Sequence, residues 1–130
     1  MKYPRILAPL VAALLAGCAV PDFPENAEPT QFDGFWSGDL PSDDSGCDAI
    51  RMTAEVRGGF LIGEITEEGV KSADVWGQIN PDGSWDGEIG KLGISGASSS
   101  GQFTEQSAEG VWVSKYCEGT IAIEKTGSAN

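Results

Sequence analysis

The sequence contains no histidine and few basic residues, and these two absences exclude several classes of function. Without histidine, the chain lacks the commonest zinc ligand and the imidazole of Ser–His and Cys–His catalytic sites. Eight Lys and Arg residues stand against 20 Asp and Glu residues, which gives a formal charge of −12. Nucleic-acid binding relies on a basic surface, so the composition predicts a protein with no nucleic-acid partner.

The sequence also lacks an apolar run long enough to cross a membrane as a helix. Residues 6–15 are an apolar segment that follows Lys2 and Arg5. A bilayer core about 30 Å thick needs roughly 20 such residues, about twice the length of this segment. A short apolar segment behind a positively charged start is typical of a secretory signal peptide. We therefore assign residues 1–17 to a signal peptide.

Cysteines are few, and the first of the three ends the motif Leu15-Ala16-Gly17-Cys18. This motif resembles the lipobox of bacterial lipoprotein precursors. The resemblance implies cleavage before Cys18, a diacylglycerol on its sulfur and an acyl chain such as palmitate on the new N-terminus. In two-membrane bacteria, a residue other than Asp at position 19 implies the outer membrane, here on its periplasmic side. The alternative is an ordinary signal peptide, with Cys18 as a spare thiol.

The segment after the motif, residues 18–31, contains Pro21, Pro24 and Pro29. Proline favours extended backbone, and about 13 residues at 3.1 Å each reach roughly 40 Å, so the composition predicts a semi-rigid tether. The alternative is an irregular segment packed on the domain. Cleavage would leave six basic and 20 acidic residues, a charge of −14. Such a chain has no polybasic attraction to lipid headgroups, so the lipid alone is expected to hold it on the membrane.

Short alternating runs fill residues 32–126 and predict an all-β domain, followed by a short tail at 127–130. In residues 48–57, apolar side chains occupy every second position, which indicates a strand with one buried face. The pairs and clusters Gly58-Gly59 and Asn80-Pro81-Asp82-Gly83 supply the chemistry of tight turns. The expected strands lie at residues 33–40, 48–57, 60–67, 73–79, 84–90, 101–105, 109–114 and 117–125.

Residues 92–100 leave the strand count open, because they are either a ninth strand or the front half of an interrupted one. Cys47 and Cys117, the two remaining cysteines, are expected to form a disulfide in an exported protein. They start the second and the last strand, and these starts lie at the same end of a closed meander only if the strand count is even. The disulfide therefore favours a small antiparallel meander closed into an eight-stranded up-and-down barrel. An open sheet or a sandwich is the alternative.

Tryptophan recurs beside glycine at short spacing, as in Trp36-Ser37-Gly38 and Trp85-Asp86-Gly87. A glycine two residues away on the same face leaves room for an indole, so the pattern indicates a packing device. An aromatic binding platform would use the same residues. Trp76 is the tryptophan expected to be exposed, since Asp74 and Gln78 share its face. Trp76, Tyr116 and Phe60 form the candidate binding surface.

The acidic residues are scattered, which indicates a solvated surface and predicts no metal site, no cofactor and no enzymatic activity. The stretch Asp82-Gly83-Ser84-Trp85-Asp86-Gly87 is similar to the start of an EF-hand loop. Its twelfth position is Gly93 where that loop has Glu, and its flanks are strands. The run Ser98-Ser99-Ser100 has no base near it in the sequence.

A second resemblance concerns residues 101–108. Gly101-Gln102-Phe103, followed by Ala108, resembles a hairpin of the transferrin-binding-protein-like lipoprotein barrels. That family usually has Gly-Pro where this chain has Glu105-Gln106. The resemblance implies a lipidated β-barrel and adds no site residue.

Three functions are compatible with these features. The first is a non-catalytic, lipid-anchored envelope protein with a structural or interaction role. The second is an inhibitor of a basic hydrolase such as lysozyme, because a strongly acidic body would attract a basic protein by long-range steering. The third is a carrier of a small apolar ligand, which would need space inside a barrel that side chains are expected to fill.

Overall fold

The structure, a computed structural model, describes residues 22–42, 46–91 and 94–128. The expected signal peptide, Cys18 and the first residues of the predicted tether lie outside the described residues. The described chain forms eight antiparallel strands that close in sequence order, with β8 pairing with β1. This confirms the predicted up-and-down barrel and replaces the open sheet and the sandwich. The strands are β1 Gly34–Leu40, β2 Ile50–Arg57, β3 Phe60–Glu67, β4 Val70–Ile79, β5 Ser84–Lys91, β6 Ile94–Phe103, β7 Ser107–Ser114 and β8 Glu118–Gly127.

The described part of the stretch with an uncertain strand count, residues 94–100, belongs to one strand, β6. Its Cα partners on β5 shift register between Ile89 and Gly90, beside the point where the strand begins. Ala97, Ser99 and Gly101 take alternate positions farther along β6, with Ser99 buried and the other two partly buried. Side chains this small produce no hydrophobic alternation, which is why periodicity alone did not distinguish eight strands from nine.

The two ends of the barrel differ in their contents. At the lower end, where β1 begins, Phe103 makes edge-to-face contacts with three aromatic rings at centroid distances of 4.8 Å to Trp36, 5.6 Å to Trp85 and 6.1 Å to Phe32. Such geometries add roughly 0.5–1.5 kcal/mol per pair beyond area burial. Aliphatic side chains such as Leu40 fill the upper end. The interior is thus a packed core along its length.

The disulfide lies at the upper end and confirms the predicted pairing. Cys47 precedes β2 and Cys117 precedes β8, and their Cα atoms are 6.1 Å apart. Both strands flank β1, as the parity argument requires. The β1–β8 ladder covers Phe35–Ser37 and is irregular between Phe35 and Trp36. Pairing resumes with an isolated bridge between Ser42 and Gly119, close to the disulfide.

The β2–β3 turn at the lower end has the predicted Gly58-Gly59 chemistry. Gly58 has φ 58° and Gly59 has φ 82°, the two positive values that a type I′ hairpin turn requires. The Asp33 carboxylate accepts hydrogen bonds from both turn amides, at 2.9 Å from Gly58 N and 3.4 Å from Gly59 N. The residue before β1 therefore joins the start of the barrel to this hairpin.

The described part of the tether, residues 22–31, lies against the same hairpin. The Arg57 guanidinium sits 4.6 Å from the centroid of the Phe23 ring, and a Cβ added to Gly58 would collide with Ala27 Cβ. The Thr30 hydroxyl donates to the Asp33 carboxylate at 2.7 Å. These contacts agree with the alternative of an irregular segment packed on the domain, and they shorten the free length of chain between Cys18 and the barrel.

Candidate functional site

Two of the three candidate binding residues lie together on the outer wall of the barrel, and the third does not. Phe60 begins β3, and Trp76 lies on the adjacent strand β4, facing outward between Val75 and Gly77. Tyr116 lies in the β7–β8 turn at the upper end, where it is 81% exposed and Lys115 Nζ is 5.2 Å from its ring centroid. The structure therefore divides the candidate surface into a wall site and a separate exposed tyrosine.

The wall site is an apolar patch made by Phe60, Ile62 and Trp76, which we call the wall patch. Ile62 is the Cα partner of Trp76 across the β3–β4 ladder, so the two side chains share the outer face. All three side chains are half-buried. They line a shallow cleft of about 230 Å³ that Asp22, the first described residue of the tether, also borders. The cleft offers apolar contact on the outer face of β3 and β4.

The other three tryptophans are interior side chains. Trp36, Trp85 and Trp112 are buried, whereas Trp76 keeps part of its indole exposed. The packing interpretation of the tryptophan pattern is confirmed for these three, and Trp76 is the most accessible of the four tryptophans although it is half-buried. Binding through Trp76 stays a prediction.

Glycines make room for two of the interior indoles. A Cβ on Gly87 would lie 2.5 Å from Trp85 Cζ3, and one on Gly101 would lie 2.8 Å from Trp85 Nε1. A Cβ on Gly119, across the β7–β8 ladder, would lie 2.7 Å from Trp112 Nε1. Some of the glycines that accommodate an indole are therefore two residues away on the same strand, and others are on the neighbouring strand. The spacing of residues in the sequence does not reveal the second kind.

A second outer surface is acidic. A groove of about 450 Å³ runs over β1, β2, β7 and β8 and is bordered by Asp39, Glu109 and Glu124. Small side chains such as Ala122 line the groove between these carboxylates. Arg51 Nη1 lies 3.0 Å from Asp39 and neutralises part of the charge, although both side chains are at least half exposed. A solvated pair of this kind contributes little stability.

The interior contains three polar groups that make no hydrogen bond with another group in the described part of the chain. They are the indole N–H groups of Trp85 and Trp112 and the Ser99 hydroxyl. In contrast, Trp36 Nε1 donates to Phe32 O at 2.9 Å. Ser99 is the Cα partner of Trp112 on one side and of Gly87 on the other, so these groups occupy one side of the core.

Two aspartates of the lower end have lowered pKa values. Partial burial raises the pKa of Asp33, but hydrogen bonds from Gly58, Thr30 and Gly59 outweigh it, and the pKa falls below its usual value. Hydrogen bonds from the Ser84 hydroxyl and amide lower the pKa of Asp82. Both carboxylates thus serve turns: Asp82 accepts from Ser84 N at 3.0 Å within the stretch that is similar to an EF-hand loop.

Among residues 22–42, 46–91 and 94–128, no three His, Cys, Asp or Glu side chains are grouped so as to hold a metal ion. The same residues include no helix that is long and apolar enough to cross a membrane.

Comparisons with known proteins give no relative: no family model, no curated protein and no solved structure matches the chain. The wall patch and the acidic groove therefore have to be interpreted from their own chemistry.

Proposed function

We propose that this protein is a lipid-anchored envelope protein with a non-catalytic structural or interaction role. The observation that carries the proposal is the use of the three cysteines. Cys47 and Cys117 are joined in a disulfide, the type of bond that persists in exported proteins. This leaves Cys18, the last residue of the lipobox-like motif, as the cysteine available for acylation.

The chemistry of the barrel supports a role without catalysis. The interior is filled by aromatic and aliphatic side chains, and the charged side chains in the described part of the chain lie on the outside. Acidic residues of the described chain are solvated, ion-paired as Asp39 is with Arg51, or engaged in turns as Asp82 is. A polar outer surface of this kind can bind a partner without catalysis. A carrier of apolar ligands, in contrast, would have to displace the side chains that fill the core.

The proposal is tested by expressing the full chain in a two-membrane bacterium with radiolabelled palmitate. We expect the label in the mature chain and the protein in the outer-membrane fraction. The Cys18→Ala variant should lose the label and accumulate as a precursor or a soluble protein, with the Cys47–Cys117 disulfide intact. An unlabelled wild-type chain, released on breaking the outer membrane, would contradict the proposal.

The acidic groove favours a second candidate, an inhibitor of a basic hydrolase. A chain of charge −14 steers basic proteins at low ionic strength, and the groove holds Glu109 and Glu124 on neighbouring strands. Binding of hen-type basic lysozyme is measured with the double variant Glu109→Gln/Glu124→Gln.

The matched control for this test changes two carboxylates on the opposite side of the barrel, Glu64→Gln and Asp86→Asn. Its net charge is then the same as that of the groove variant. A loss of affinity confined to the groove variant would support the candidate. Equal weakening in both variants would indicate unspecific charge attraction, and lack of binding at low salt would remove the candidate.

A further inference from the structure

The wall patch lies close to the site of the proposed lipid. Asp22 borders the cleft of the patch, and Cys18 is four residues before it. Four residues of fully extended chain span at most about 14 Å. If Cys18 carries acyl chains in a bilayer, the wall patch is therefore held within a short distance of that bilayer.

The contacts of residues 22–31 keep this distance short. Arg57 stacks on Phe23, and the neighbouring residues pack on the β2–β3 turn, where Gly58 faces Ala27. The segment that would otherwise act as a spacer is thus attached to the body. A barrel standing far from the membrane would have to give up these contacts.

The composition of the wall patch suits the membrane–water interface. Tryptophan is enriched at this depth, because its ring is apolar and its N–H is polar. Phe60 and Ile62 extend the apolar area around Trp76 along β3. In register with the patch, Glu55 lies opposite Ile62 and Glu88 lies opposite Trp76, while Arg57, opposite Phe60, forms an ion pair with Glu55. The flanks of the patch thus carry both signs of charge. This arrangement fits a lipid surface without net charge better than an anionic one.

From these observations we propose that the wall patch rests on the surface of the bilayer in which the Cys18 lipid is anchored, so that the barrel lies on its β3–β4 wall. The inference rests on the proposed lipid anchor. It names the partner as a neutral, zwitterionic lipid surface, and it gives Trp76 the position of an interfacial side chain.

The test uses the mature lipidated chain reconstituted in phosphatidylcholine vesicles whose acyl chains carry bromine, a short-range quencher of tryptophan emission. The Trp76 contribution is obtained as the difference between the wild type and the Trp76→Phe variant. We expect this contribution to be largely lost in brominated vesicles compared with unbrominated ones. The emission of the buried Trp36, Trp85 and Trp112 should change little.

A pair of matched variants separates docking from folding. Ile62→Asp places a carboxylate in the patch opposite Glu55, and Val113→Asp places one on β7, the opposite wall, opposite Glu118. Val113 is 46% exposed and outward-facing. We expect Ile62→Asp to abolish the bromine quenching of Trp76 and Val113→Asp to leave it unchanged. Near-ultraviolet circular dichroism verifies that both variants keep the folded barrel.

Several outcomes would overturn the docking. The first is Trp76 emission that bromine does not affect. The second is that a second copy of the chain, and not lipid, covers Trp76 in detergent. The third is quenching of Trp76 that increases when anionic phosphatidylglycerol is added to the vesicles. Mass spectrometry of the same sample distinguishes the two proposals. A chain without acyl groups would contradict the lipid anchor, whereas a lipidated chain with unquenched Trp76 would contradict the docking alone.

Discussion

Removal of the disulfide between Cys47 and Cys117 should weaken the barrel strongly and at a defined place. The bridge closes a loop of 70 residues. In the chain-entropy description, a loop of this length restricts the unfolded chain by about 4 kcal/mol at 25 °C. Small domains have unfolding free energies of roughly 5–15 kcal/mol. The double variant Cys47→Ala/Cys117→Ala should therefore lose a large part of its stability.

The assay is urea unfolding of the mature chain with Cys18→Ala, with and without the two further substitutions. For a slope near 2 kcal/mol/M, the midpoint should fall by about 2 M. The Cys18→Ala chain treated with a reductant serves as the control, because it loses the same bridge without a further change of sequence. A loss below about 1 kcal/mol in both samples would refute the reasoning.

The structure also indicates where the barrel should open first. The β1–β8 seam is held at its upper end by the Ser42–Gly119 bridge and by the hydrogen bond from Thr120 N to Pro41 O, 3.1 Å long. Both lie beside the disulfide. Amide exchange of Thr120 should rise more in the double variant than exchange of Gly63 in the β3–β4 hairpin. Equal acceleration at the two sites would show that loss of the disulfide destabilises the whole barrel and does not open the β1–β8 seam first.

Three further substitutions test individual contacts. Asp33→Asn should cost about 0.5–1 kcal/mol at pH 7 by weakening the bonds to Gly58 and Gly59. Because the folded-state pKa is lowered, the difference from wild type is present above the unfolded pKa and disappears as the pH falls through the folded one; unfolding curves that keep a constant difference down to pH 2 would be inconsistent with this. Glu68, with φ 51°, occupies the left-handed region. Glu68→Asn should therefore raise the unfolding free energy by about 0.5–1 kcal/mol, and Glu68→Gln should not. An equal gain in both variants would show that removal of the negative charge, not the backbone conformation, is the cause. Ser99→Ala removes a buried hydroxyl without a partner in the described chain and should stabilise by up to about 1 kcal/mol, with exposed Ser98→Ala as the control; a destabilised Ser99→Ala would mean that the hydroxyl is hydrogen-bonded.

Sequence periodicity was sufficient for most of the fold. The alternation in β2 and the glycine pair after it predicted the strand and a tight turn, and the structure gives that turn type I′ dihedral angles. The parity argument on Cys47 and Cys117 selected eight strands and closure. Strand ends were less well predicted: β6 ends at Phe103, because Thr104 N donates to Ser107 O at 2.8 Å and turns the chain there.

The features that the sequence did not reveal depend on neighbours distant along the chain. The turn at Glu68-Gly69 has a charged residue at a position that favours glycine or asparagine, so composition gave no turn signal. The aromatic contacts of Phe103 join strands that meet only in the closed barrel.

The wall patch was predicted in part, from the polar neighbours of Trp76. The inclusion of Ile62 follows from the β3–β4 register, which begins with the undetected turn. Tyr116 lies apart from Phe60, since the β7–β8 turn and the start of β3 are at opposite ends of the barrel.

The measurement that tests the central claim most directly is the intact mass of the native chain purified from bacterial membranes, followed by fragmentation of its N-terminal peptide. The account predicts that the chain begins at Cys18, with a diacylglycerol on the sulfur and an acyl group on the amine. A chain that begins at another residue, or that has an unmodified Cys18, would contradict it.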